Sequence, residues 1–275
     1  AKDSAPTVCL ENSSNYTRTA WIIGDSHADS LLEGARHIFK DTQTRTVLYT
    51  AGGTPFPPIG HYRKKEKEND LKKLEYYYQL ERKLINSAMD SDIVIIAMRL
   101  PYHFGGTYYE YPTNEFVFLS DAGLEVSQSD YFALWKEAVE TMAQKLPSVN
   151  FILLTPTPEW EKAGLYECSE QKEWFSRLSG SKCEIKRDFF VGTRGLYNHI
   201  NRGLNELAKN NTNVFVYDLF NDLCPNEICQ FGDQGNALYG DDDHISDYSS
   251  RRIMKNLKNQ FSNIVAPTDH SRINP

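Results

Sequence analysis

The sequence has no hydrophobic run long enough to cross a membrane. Its longest apolar stretches, such as residues 93–98 (IVIIAM), fall far short of the roughly 20 residues a bilayer requires. It has no surplus of positive charge: 30 Lys and Arg stand against 37 Asp and Glu, a formal net charge of -7. Phosphate-backbone binding needs a basic face, so DNA and RNA are set aside as partners. The chain opens on Ala1-Lys2 with neither an initiator Met nor a signal-peptide hydrophobic region, which reads as a processed protein or an excised domain. Cysteine is scarce. The five present lack the CxxC spacing and the His neighbours of a zinc site. Cys224 and Cys229 bracket a short Pro-Asn-Glu-Ile loop, and Cys168 and Cys183 bracket a polar excursion. Two local disulfides with Cys9 left over imply an oxidising compartment; five reduced thiols in a cytosolic protein is the alternative.

What is present points to a folded chain. With 275 residues, 40% of them hydrophobic, 16 Tyr and 14 Phe, there is enough apolar material to bury a sizeable core. Five runs read as strands: 19–24 (TAWIIG), 45–50 (RTVLYT), 92–98 (DIVIIAM), 149–155 (VNFILLT) and 213–218 (NVFVYD). Each is nearly continuous in apolar or β-branched residues, as parallel strands covered on both faces require. Amphipathic stripes lie between them: Leu31, Leu32, Ala35, Ile38, Phe39; Leu134, Ala138, Val139, Met142, Leu146; Leu196, Ile200, Leu204, Leu207; and Ile253, Leu257, Phe261. The alternation gives an α/β fold of three layers, α/β/α, around a five-stranded parallel sheet, without internal repeat or second domain. Residues 61–88 are dense in Lys and Glu and read as a solvated helix. Residues 102–128, rich in Tyr, Phe and Gly, read as an inserted loop or hairpin. Its aromatics either stack on sugar rings or form a satellite core.

Ligands of an open parallel sheet bind beyond the carboxyl ends of its strands, where the chain order reverses. The first strand ends Gly24-Asp25-Ser26-His27 and runs at once into a helix. A serine there suits a nucleophile whose attack creates an oxyanion, and equally a plain N-cap. Directly before the last helix stands Asp241-Asp242-Asp243-His244-Ile245-Ser246. Asp241 and His244, three apart, share a face, so the carboxylate can hold Nδ1–H and leave Nε2 free for the serine proton. A divalent-cation site is the competing reading of the acidic run. His27 is assigned a capping or packing role, Ser246 a cap, and His37, His61, His103, His199 and His270 no special one.

Gly24-Asp25-Ser26 with Asp241-x-x-His244 resembles the SGNH hydrolase superfamily. Gly24-Asp25-Ser26-His27-Ala28, the Cys224…Cys229 pair, Leu238-Tyr239 and Asp243-His244-Ile245-Ser246 resemble one subgroup, the periplasmic SGNH domain of acyltransferase-3 membrane proteins that O-acetylate bacterial surface polysaccharides. The resemblance implies a flavodoxin-like SGNH fold over residues 19–265, with 1–18 as an extension or linker from an upstream membrane region and 266–275 as a tail. It implies a catalytic triad of Ser26, Asp241 and His244, and an oxyanion hole formed by Ser26, Gly53 and Arg99. Gly52 or Gly53 fits the superfamily's second block, although a turn glycine explains either. Arg99 stands where the third block has Asn. It can donate to the oxyanion, bind the acyl or sugar group, or pair with an acid near His244. The implied activity is acetyl transfer through Ser26 to a hydroxyl of a polysaccharide such as lipopolysaccharide O-antigen. The implied donor partner is an acyltransferase-3 membrane domain, the location periplasmic, and neither cofactor nor metal is called for. A secreted carbohydrate esterase with water as acceptor shares every residue named, and a catalytically silent carbohydrate-binding domain is disfavoured by the intact triad.

Overall fold

The computed structural model describes residues 7–11, 16–40, 42–104, 116–120, 122–160 and 184–265. Its central sheet has six strands: β1 (Thr7–Glu11), β2 (Arg18–Gly24), β3 (Thr44–Thr50), β4 (Ile93–Ala97), β5 (Asn150–Leu154) and β6 (Val214–Tyr217). They are arranged in the order β1-β3-β2-β4-β5-β6. The five expected strands are all parallel. The sixth, β1, pairs antiparallel with β3, so part of the segment expected as a linker covers the sheet edge. Edge strands leave unpaired backbone groups, and a short antiparallel strap satisfies one such row.

The pleat divides the apolar residues between two cores. Trp21, Ile23, Val94, Ile96, Phe151 and Leu153 face one cluster, while Ala20, Ile22, Ile93, Ile95, Ile152 and Leu154 face the other. Residues alternate in this way because successive side chains of a strand point to opposite faces. Helices α3 (Lys67–Ser87), α5 (Gln128–Lys145) and α6 (Asn198–Asn210) cover the first cluster. Helices α2 (Leu32–Phe39) and α7 (Asp247–Gln260) cover the second. The short helices α1 (Ser26–Asp29) and α4 (Leu100–Phe104) follow β2 and β4 at their carboxyl ends.

The segment 61–88 is not a single solvated helix. His61–Arg63 is a short strand paired with Phe116–Phe118, and α3 begins only at Lys67. Its inner face buries Leu74, Tyr77, Leu80 and Leu84, and with them Asp70 and Lys73. Phe104, Phe116 and Phe118 of the aromatic insertion lie in the first core, so these rings pack rather than face a ligand. The Cys224–Cys229 disulfide is present. Cys168 and Cys183, expected as the second pair, lie outside the described residues, as do 105–115 of the insertion and the 266–275 tail.

One glycine decides how the two ends of the chain meet. A Cβ on Gly34 of α2 would stand 2.2 Å from the Ser250 carbonyl oxygen on α7, so only glycine lets these helices touch backbone to backbone. The Gly34 N–H also donates to Ser250 Oγ at 2.9 Å. This contact draws the loop before α7 over the end of β2.

Candidate active site

Ser26 lies just beyond β2, at the point where the chain order of the parallel strands reverses. The turn that carries it is fixed by Asp25, which is 1% exposed. The Asp25 carboxylate accepts from the His27 N–H at 2.9 Å, the Arg99 N–H at 2.9 Å and His103 Nε2 at 3.0 Å. Burial works against its charge, but the His103 hydrogen bond and the other donors outweigh it and hold the carboxyl below its ordinary range. Ser26 itself is exposed.

The residues expected as a triad come together. Ser26 Oγ is 2.7 Å from His244 Nε2, and His244 Nδ1 is 2.9 and 2.8 Å from the two Asp241 oxygens. A carboxylate on Nδ1 keeps the proton on that nitrogen, which leaves Nε2 to accept from the serine hydroxyl. Asp241 also accepts the His244 N–H at 2.7 Å, so one side chain shapes the turn and orients the ring. Ser246 caps α7 as expected, accepting the Ser249 N–H.

A second acid stands beside the first. Asp243 is buried, and its Oδ1 lies 2.9 Å from His244 Nδ1 as an ion-pair contact. Its Oδ2 accepts from His27 Nε2 at 3.3 Å and pairs with an Arg99 Nη1 at 3.0 Å. Arg99 in turn grips Glu159 with two hydrogen bonds, Nε to Oε1 at 3.1 Å and Nη2 to Oε2 at 2.6 Å. Of the roles weighed for Arg99, the ion pair with an acid near His244 is thus realised, with Glu159 as a further partner. His27, Asp243 and His244 could gather ligand atoms around a cation. Arg99 already pairs with Asp243 there, and Asp241, Asp242 and Asp243 of the acidic run form a second such group.

This arrangement sets the histidine's proton affinity. Burial favours neutral His244, but the adjacent Asp243 and Asp241 carboxylates outweigh it and raise its pKa to about 9. Asp243 is driven the other way. Burial opposes its charge, and His244, His27 and Arg99 together hold it well below the ordinary carboxylate range.

Gly53 occupies the turn after β3, which begins beside the nucleophile because the Ala51 N–H donates to the Gly24 carbonyl at 3.2 Å. Its φ of +69° lies in the left-handed region that favours glycine. Among the described residues no acceptor takes the N–H of Ser26 or of Gly53. The site residues missed from sequence are Asp243, Glu159 and His103. For the last two there was no local signal: His103 and Asp25 are 78 positions apart, and Arg99 and Glu159 are 60. For Asp243 the signal was its place in the same acidic run.

Among solved structures, the periplasmic domain of a Salmonella ser. Paratyphi A lipopolysaccharide acetyltransferase is similar at a TM-score of 0.59 and 15% identity, over 90% of this chain and 85% of that one. At that identity the likeness establishes the fold. A Corynascus thermopiles (Myceliophthora fergusii) carbohydrate esterase family 2 enzyme with a carbohydrate binding domain aligns at 0.49 and 11% identity, over 94% of this chain and 69% of that one. No curated protein matches the sequence. The family of SGNH domains fused to AT3 domains matches residues 2–259, nearly the whole length, and the chain belongs to that family.

Proposed function

We propose that this chain is an O-acetyltransferase domain that carries an acetyl group on Ser26 and delivers it to a hydroxyl of a bacterial surface polysaccharide, lipopolysaccharide O-antigen being the preferred class. The observation that carries this reading is the 2.7 Å contact of Ser26 Oγ with His244 Nε2, with Asp241 on the opposite ring nitrogen. Ser26 Oγ attacks the donor carbonyl carbon as its proton passes to Nε2. The tetrahedral oxyanion is held by the N–H groups of Ser26 and Gly53, while the Arg99 guanidinium is engaged by Glu159 and Asp243. Collapse expels the donor's leaving group, which takes the proton from Nε2 and leaves acetyl-Ser26. The sugar hydroxyl then attacks, gives its proton to Nε2, and departs as an ester while the proton returns to Ser26 Oγ. An AT3 membrane domain delivers the acetyl group, and the reaction takes place in the periplasm. No helix among the described residues is long and apolar enough to cross a membrane.

The exposure of Ser26 favours a second reading, in which water replaces the sugar and the domain is a carbohydrate esterase. The two are separated by incubating the domain with 4-nitrophenyl acetate and an unacetylated polysaccharide. Acetyl groups recovered on the polysaccharide in excess of an enzyme-free control support transfer. Release of acetate alone, undiminished by the polysaccharide, supports hydrolysis.

The pH dependence follows from the raised histidine. Only neutral His244 can accept the serine proton, so kcat/KM for the acetyl ester is expected to climb with pH and level off above about 9. A profile that levels off near 6.5, the ordinary histidine value, would mean that the carboxylates do not charge the ring. The same shift has a stability consequence of opposite sense. Protonated His244 stabilises the fold fully below about 6.5, and that contribution is lost as the pH rises through about 9.

A further inference from the structure

The highly charged segment contributes one buried cation whose main partner is a backbone carbonyl. Lys73 of α3 is 5% exposed, and its Nζ donates to the Gly52 carbonyl oxygen at 2.9 Å. Its nearest carboxylate oxygen, Asp70 Oδ1, is 4.0 Å away. Asp70 already has its countercharge: Arg63 donates from Nε at 3.0 Å, from Nη2 at 2.7 Å and from its backbone N–H at 2.9 Å. Neutralising Asp70 therefore does not account for Lys73, whose ammonium is buried at an electrostatic cost that lowers its pKa. Its direct hydrogen bond goes to the turn after β3.

The peptide it grips joins Gly52 to Gly53. A trans peptide is planar, with its C=O and N–H pointing in opposite directions. Fixing the Gly52 carbonyl against α3 therefore aims the Gly53 N–H away from α3. His61 secures the other end of the turn. Burial and the nearby His103 depress its pKa to about 4, so it is neutral and donates through one nitrogen only. The Gly53 carbonyl at 3.3 Å is the nearer of its two acceptors. The Gly53 N–H, which no acceptor takes among the described residues, thus points away from α3 on a turn that starts beside Gly24 and the nucleophile.

We infer that Lys73 is a positioning residue for the oxyanion hole, an inference that rests on the acyl-transfer reading of Ser26. It fixes the Gly52–Gly53 peptide and, because hydrogen bonds polarise one another along a chain, an ammonium on its carbonyl makes the N–H at its other end a stronger donor. The same helix also reaches the nucleophile's turn through Tyr77, whose hydroxyl donates to the Gly24 carbonyl.

The test compares Lys73→Met with the unaltered chain on 4-nitrophenyl acetate, with Ser26→Ala as reference. Lys73→Met is expected to lower kcat roughly 10–100-fold, less than the loss of a whole oxyanion donor, with KM within about twofold. Affinity for a small alkylboronic acid, which forms a tetrahedral adduct on a nucleophilic serine, should fall by a similar factor. A residue that only supports the fold would not weaken the adduct selectively. Lys73→Arg, which restores both charge and donor, should recover part of the loss. A folded Lys73→Met with unchanged kcat and boronate affinity overturns the inference. If that variant does not fold, Lys73→Gln decides by the same two readouts. Should Ser26→Ala retain turnover, the acyl-transfer reading itself fails; should it abolish turnover while Lys73→Met retains kcat, only the role of Lys73 falls.

Discussion

Ser26→Ala is expected to cut turnover of a chromogenic acetyl ester by about 10⁴–10⁶-fold while circular dichroism and thermal melting stay unchanged. The size follows from the site's construction: Ser26 Oγ is the atom that His244 Nε2 contacts, and among the described residues no other side chain is hydrogen-bonded to that nitrogen. The fold is spared because Ser26 is exposed and Asp25, not the serine hydroxyl, holds the turn. His244→Ala should match it, since a nucleophile without its base is as weak as no nucleophile. Asp241→Ala should be milder. Asp243 Oδ1 stands 2.9 Å from the same ring nitrogen and keeps a negative charge against it when Asp241 is removed. Wild-type rates in Ser26→Ala would end the catalytic reading, and equal losses in Asp241→Ala and His244→Ala would show that Asp243 gives no support.

The second large effect is expected at Arg99 and is read first as stability. Arg99→Met leaves Glu159 and Asp243 buried without the guanidinium that joins them, at 6% side-chain exposure each. Removing one partner of such a pair typically costs about 3–5 kcal/mol. Arg99 is 18% exposed, so solvent relieves part of this and a loss nearer about 3 kcal/mol is expected in chemical denaturation. The double variant Arg99→Met/Glu159→Gln should regain part of that loss, because one stranded charge has gone. A dedicated oxyanion donor would behave differently. Its loss would lower kcat about 100-fold at constant KM, with stability intact. Measuring both quantities on the same variant separates the two roles.

The parallel strands and the Ser26/Asp241/His244 set were legible for related reasons. A strand buried on both faces must be apolar throughout, and β4 is Ile-Val-Ile-Ile-Ala. A short helix after one strand and a turn before the last helix fix where Ser26 and His244 can lie. The edge strand β1 was not legible, since Thr-Val-Cys-Leu-Glu is short and its partner β3 lies some 40 positions on. The hydrogen bonds between Asp25 and His103 and between Arg99 and Glu159 depend on tertiary approach, and no sequence period announces them. Lys73 is a different case. Asp70, Lys73, Leu74, Tyr77, Leu80 and Leu84 fall on one helical stripe, so the period itself placed two charges on the buried face. The density of Lys and Glu around them masked that stripe.

The backbone contact between Gly34 and Ser250 has a consequence for the order in which the protein becomes active. Every strand of the central sheet has been synthesised once residue 217 is added, and the nucleophile long before that. The base comes later, on the loop before α7, and is seated only when that helix docks on α2. A chain ended after Gly240 would hold the whole sheet and the serine yet have no base. On the acyl-transfer reading the serine therefore gains its base only after the strands of the sheet have been made, and a misdocked chain lacks that base.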